Sequence, residues 1–259
     1  MKFILLLSLL CVSPSLWADA LQAVMDLARA GAHGLALQEM DARQPAFDQD
    51  PAGWIRWEQE RLYVLELRRD WDGVIARVRE APVGIPASLA HEFVTRRAEA
   101  ELELGRVVTA RQRLRRGLWE MQPPAQVRQH WRRLLLRGYL QAGVVADART
   151  AMQRYQQDYA DTSLEWYLLG SRVLLRAGQH EQVLALLDGV EATGVRPYRW
   201  LARLHTDPDS AGGIAAAIDD VLAQEEAPAA RQRARLWAVR ARADARREAW
   251  AEQVAALEA

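Results

Sequence analysis

Lysine is almost missing from this chain: Lys2 is the only one, so every later cation except histidine is arginine. Cysteine is equally scarce. Cys11 is the single thiol and lies near the start, so the rest of the chain can form no disulfide and offers no thiol chemistry. Beyond residue 20 serine is confined to Ser88, Ser163, Ser171 and Ser210, none of them in the Gly-x-Ser-x-Gly turn that exposes a nucleophile. No glycine-rich phosphate loop is present. The histidines, His33, His91, His130, His180 and His205, are scattered without metal-ligand spacing. His91-Glu92-Phe93-Val94-Thr95 starts like a zinc-protease helix, but Thr95 stands where the second ligand is needed. Glu58, Glu60, Glu99, Glu101 and Glu103 have a helical spacing that reads as a solvated face, not as a catalytic pair. No catalytic residue, metal or cofactor is expected. Nor does any segment alternate with a period of two for long enough to be a strand.

The charges of Lys and Arg (34) balance those of Asp and Glu (34), which gives no bulk attraction to nucleic acid or to anionic lipid. Lys2, the apolar run Phe3–Leu16 and the small-x-small triplet Ala18-Asp19-Ala20 read as a secretory signal peptide over 1–18, cut after Ala18 or Ala20. The apolar run falls short of the roughly 20 residues that span a bilayer. A periplasmic domain over 19–259, without a membrane span, is the expectation.

Within that domain one pattern recurs. Trp131, Gly143 and Ala148 stand at the same offsets as Phe93, Gly105 and Ala110, then Trp166, Gly178 and Val183, then Trp200, Gly212 and Ala217. Looser copies are Trp57, Arg69 and Val74, and Trp237, Ala249 and Val254; Gly31 and Ala36 form a truncated first copy. The aromatics are 36, 38, 35, 34 and 37 residues apart. A breaker marks each joint: Pro51, Pro86, Pro123-Pro124, the Thr162/Glu165 capping-box spacing, Pro197 and Pro228. A period in the mid-thirties made of helix, turn and helix predicts an all-α stacked array of thirteen or fourteen helices. The phased rings of Trp57, Trp131, Trp166, Trp200 and Trp237 are expected in its core, whereas Trp54, Trp71, Trp119 and Trp250 lie off phase. Thr206–Ser210 interrupts the Trp200 helix and predicts an irregular unit there.

Gly143 with Tyr139 four before it and Ala148 five after resembles the tetratricopeptide (TPR) repeat, as do Gly105 with Ala110, and Asp70-Trp71 leading to Val74 and Ala81-Pro82. The resemblance is loose. The small residue expected seven before the hairpin is kept in Ala98 and Ser171 but replaced by Leu62 and Leu136. It implies a right-handed α-solenoid of about six to seven repeats and a non-catalytic scaffold that holds a protein or peptide partner in a concave groove, in cell-envelope assembly or export. It is also similar to the superhelical part of soluble lytic transglycosylases, which leaves a carbohydrate-handling module as the alternative.

Helical angles suggest where a partner would bind. At 100° per residue from Trp131, Leu135, Leu136 and Tyr139 lie on the packed side, and Arg133 and Arg137 near 200° and 240°. On later first helices Arg172, Arg176, Arg199, Arg203 and Arg240 fall between about 240° and 300° of their own phased aromatic. The Phe93 helix places Thr95, Glu99 and Glu103 on that arc instead. If first helices line the inner wall, as the resemblance implies, the wall turns basic toward the C-terminus. Guanidinium groups take carboxylates in bidentate pairs, so the expected ligand is an acidic segment of a partner protein, its C-terminus, or an anionic glycan.

Overall fold

A computed structural model describes residues 14–223 and 230–258; residues 1–13 of the expected signal peptide lie outside them. Among the described residues thirteen α-helices and two 3₁₀ turns make up the regular structure, and no strand occurs. Each helix packs mainly on those next to it in sequence. The chain divides into two units, Met1–Gln122 and Pro123–Ala259.

The first unit holds α1 (Pro14–Arg29), α2 (His33–Arg43), α3 (Pro51–Leu67), α4 (Trp71–Arg79), α5 (Ala87–Glu103) and α6 (Val107–Glu120). α1 starts at Pro14, ahead of Asp19, where the domain was expected to begin. Asp50 and Asp70 cap α3 and α4 by accepting hydrogen bonds from the N–H of Gly53 (2.8 Å) and Gly73 (2.9 Å). A Cβ on Gly53 would meet the Asp50 carboxylate at 2.1 Å, so the glycine makes room for the cap. One cluster joins Trp54, Leu62, Val74, Ile75, Leu89 and Phe93, with Phe47 edge-on to Trp54 at 5.3 Å. A second joins Val24, Ala36, Met40, Trp57 and Val64.

The second unit holds α7 (Ala125–Gln141), α8 (Val145–Asp158), α9 (Leu164–Arg176), α10 (His180–Leu186), α11 (Arg196–Thr206), α12 (Ala211–Ala223) and α13 (Ala230–Glu258). The first helices of its successive pairs touch one another, α7 on α9, α9 on α11 and α11 on α13.

Five hairpins close in one way. Gly31, Arg69, Gly105, Gly143 and Gly178 all have φ between 58° and 86°, the left-handed conformation that ends a helix. After each, the next N–H reaches back to a carbonyl in the last turn: Val144 to Tyr139 at 3.1 Å, Gln179 to Leu174 at 2.9 Å, and Asp70 to Leu65 at 2.9 Å. These are five of the seven positions the repeat spacing marks, including Arg69, which has no glycine. Arg69 carries the strain that glycine avoids.

The spacing fails after Gly178. Gly212 lies inside α12 with helical backbone, and the turn before it is the 3₁₀ segment Pro208–Ser210. Ala249 lies inside α13, so the expected last hairpin does not form. The physical reason is plain: neither glycine nor proline occurs between Ala230 and Glu258 to stop the helix. Trp57, Trp131 and Trp166 are buried and Trp200 partly so, but Trp237 is 58% exposed, and its helix turns Leu236, Val239 and Ala243 inward instead. Off-phase Trp54 is a core residue and Trp71 packs beside it, whereas Trp119 is 85% exposed. The Trp250 side chain lies outside the described residues. The cap of α9 is Ser163, one residue beyond Thr162, and accepts from the Trp166 N–H at 3.2 Å.

Candidate ligand-binding surface

The arginine arc separates into two groups. Three of its members turn to the protein's own acceptors. Arg133 on α7 pairs with Asp161 at 2.9 Å and Glu165 at 3.2 Å. Arg199 on α11 donates to the carbonyls of Leu187 (2.6 Å) and Val190 (2.7 Å), closing the C-terminal end of α10. Arg240 on α13 pairs with Asp219 at 3.0 Å and with Asp244. Its angle was reckoned from Trp237, a ring that faces solvent, so the arc on α13 is displaced.

Arg133 belongs to a buried junction between α8 and α9. Asp161 accepts from the Tyr155 hydroxyl, from Arg133 and, through Oδ1, from the Ser163 N–H at 2.8 Å. Tyr155 also takes a hydrogen bond from Gln129 (3.0 Å) and stacks on Trp166 at 4.5 Å between centroids. Burial opposes charge on Asp161, but the donors from Tyr155, Ser163 and Arg133 outweigh it and hold the carboxyl at about 2. Burial and the neighbouring carboxylate push the Tyr155 phenol up to about 12.

The other group converges. Arg172 and Arg176 on α9, Arg137 on α7 and Arg235 on α13 are close enough that each of the other three depresses the affinity of Arg172 for its proton, after burial, the largest cause. Tyr198 of α11 acts in the opposite sense on Arg172, and the Arg235 guanidinium lies over its ring, 5.9 Å from the centroid. Among the described residues no carboxylate forms an ion pair with Arg172, Arg176 or Arg235. An arginine does not shed its charge at any ordinary pH, so the cluster is a concentration of positive charge that an incoming anion would relieve. Arg203 is also exposed. Arg235 was not foreseen, because the repeat spacing took Trp237 as the reference for its helix.

The glutamates also divide. Glu60 and Glu99 are half-buried and Glu103 is exposed, but Glu58 and Glu101 are each 1% exposed, against the expectation of a solvated face. Glu58 takes hydrogen bonds from Arg77 (2.6 and 2.9 Å) and Gln44 (3.0 Å), with Arg61 beside it; Arg61 pairs in turn with Asp41. Glu101 takes Arg113 at 2.8 Å and Arg97 at 3.2 Å. Arg77 and Arg113 both stand eight residues after a hairpin residue, Arg69 and Gly105, and that shared register was the available signal. These carboxylates are saturated by arginines, which suits a structural role.

No group of three or more possible metal-ligating side chains occurs among the described residues, and none of their helices is long and apolar enough to cross a membrane. No protein-family model, curated protein or solved structure matches the chain.

Proposed function

We propose that the chain is an exported, non-catalytic TPR-like scaffold whose second unit binds an acidic segment of a partner protein on the surface formed by Arg172, Arg176, Arg235, Arg137 and Tyr198. The observation that carries this reading is the convergence of guanidinium groups from α7, α9 and α13 with no carboxylate paired to Arg172, Arg176 or Arg235 among the described residues. Five hairpins of one construction and the contact of first helix with first helix support a TPR-like array, in which first helices line the binding wall. Forked guanidiniums on rigid helices fit two carboxylates spaced along a peptide better than one small anion.

An anionic glycan would need exposed rings within the cluster. The ring there, Tyr198, is buried and covered by Arg235, while Trp237 lies two residues from Arg235, about 200° round α13. The peptide reading is therefore preferred. It is tested by partner capture from periplasmic extract with the wild-type chain and with Arg172→Glu/Arg176→Glu. A protein retained by the first and lost by the second supports the reading; equal retention removes the surface from it. Mass spectrometry of the captured bait tests export, for which the expected first residue is Asp19 or Leu21.

A further inference from the structure

A second cationic cluster lies apart from the arginine surface, where α10, α11 and α13 meet. His180 on α10 and His205 on α11 stack face to face, their rings 4.0 Å apart and 4° from parallel. Arg246 on α13 approaches His205, its Nη2 3.4 Å from Nδ1. A guanidinium has only donors, so that contact needs the Nδ1 lone pair, and His205 is then the neutral tautomer protonated at Nε2. The His180 Nδ1 is buried without a hydrogen-bond partner. Beside His205 an open cavity of 420 Å³ is walled by Leu201, Leu204 and His205 of α11 and by Arg242, Ala245 and Arg246 of α13.

Two imidazoles and two guanidiniums are thus gathered, and among the described residues no carboxylate forms an ion pair with any of them. His205 is held below the usual imidazole range by burial first, then by His180 on α10 and by Arg246 and Arg242 on α13; Asp207 and Asp209, next along the chain, are not among the groups that act on it. A lining that mixes Leu201, Leu204 and Ala245 with His205, Arg242 and Arg246 is the kind expected for a small molecule with an apolar body and one charged head.

We propose that this cavity binds a small organic oxyanion, its head between His205 and the guanidiniums of Arg242 and Arg246 and its apolar body against Leu201 and Leu204. The anion replaces the missing negative charge, so its binding and the protonation of His205 favour each other. Affinity rises as pH falls. His180, stacked behind His205, takes no part in the head contact but adds to the repulsion that the anion relieves.

Benzenesulfonate is the probe, because its charge is constant between about pH 5 and pH 7.5 and any pH dependence belongs to the protein. Calorimetry on the full chain should give affinity about tenfold higher at the lower pH. The histidine side-chain NMR signals should show the His205 titration midpoint moving upward when the probe is bound. Inorganic sulfate should bind more weakly than benzenesulfonate, and benzoate against phenyl phosphate distinguishes a carboxylate source from a phosphate one. Arg242→Gln/Arg246→Gln should abolish binding, and His205→Gln should retain binding but lose its pH dependence, both with unchanged helical circular dichroism. Undisturbed His205 signals at about 10 mM probe and low pH, or equal affinity in the double arginine variant, would overturn the proposal. A folded His205→Gln protein with the wild-type pH dependence would overturn the coupling.

Discussion

Replacing Asp161 with asparagine keeps the shape of the α8–α9 junction and removes its charge. In the folded chain this carboxyl is held at about 2, against an ordinary 3.8. Each unit of such a difference corresponds to about 1.4 kcal/mol, so the ionised form contributes ~2–3 kcal/mol to stability at neutral pH. The side chain is 6% exposed, so solvent screening takes little of this away. The sign follows from the depressed value. The folded state prefers the charged form, so the contribution is complete above the unfolded-state value near 4 and is lost as pH falls through about 2. Asp161→Asn should therefore lower the urea midpoint at pH 7 by an amount equivalent to ~2–3 kcal/mol, roughly 4–10 °C in Tm for a chain of this size. Urea titrations followed by circular dichroism at several pH values provide the test. Wild type and variant should converge as pH falls from about 5 toward 2. A variant as stable as wild type at pH 7, or a gap that persists undiminished at the acid end, would refute the assignment of Asp161 as the charged centre of the junction. Tyr155→Phe removes one donor and should cost about half as much, because Ser163 and Arg133 remain.

Five further substitutions test packing and backbone geometry. Trp131→Ala empties a fully buried site and should cost ~3–5 kcal/mol, whereas Trp237→Ala, on a ring 58% exposed, should change stability by ~0.5 kcal/mol or less; thermal melts of both variants decide whether the phase of the core is placed correctly. Glu58→Ala leaves Arg61 and Arg77 facing a vacated acceptor site and should cost ~3–5 kcal/mol, and an unfolding midpoint within about 1 kcal/mol of wild type would contradict the structural role of that glutamate. Arg69, at φ 58°, should gain up to ~1 kcal/mol on replacement by glycine, while Gly143→Ala at φ 71° should lose ~1–2 kcal/mol through the backbone alone, since a Cβ there meets nothing within 4 Å.

The helices and five of the hairpins were legible because each rests on a local rule. A left-handed residue must end a helix, and glycine at a fixed offset from a buried ring announces it; Arg69 was legible only through that offset. The rule stops working after Gly178. Beyond it α10 is short, a 3₁₀ turn at Thr193–Val195 feeds α11, and Gly212-Gly213 continue a helix rather than end one. None of these changes leaves a mark in residue spacing, and carrying the phase on to Trp237 and Ala249 produced a hairpin where nothing breaks the helix. The arginine arc was legible in part. Arg172 and Arg176 are exposed, as their angles predict, but one helical turn separates Arg137 from Arg133, which meets Asp161 and Glu165 from the next pair. Pairing across helices depends on that approach, so angle alone could not separate the two. The same limit hid the stacked His180 and His205, 25 residues apart in sequence and brought together by α10 packing on α11.

The most direct test of the central claim is titration of a fluorescent decapeptide rich in glutamate, followed by anisotropy, against the wild-type chain and Arg172→Glu/Arg176→Glu over a salt series. The wild type should bind with an affinity that falls steeply with salt, and the variant should lose at least about tenfold at low salt while its melting curve stays within a few degrees of wild type. Equal binding by the two proteins, with both folded, would contradict the account.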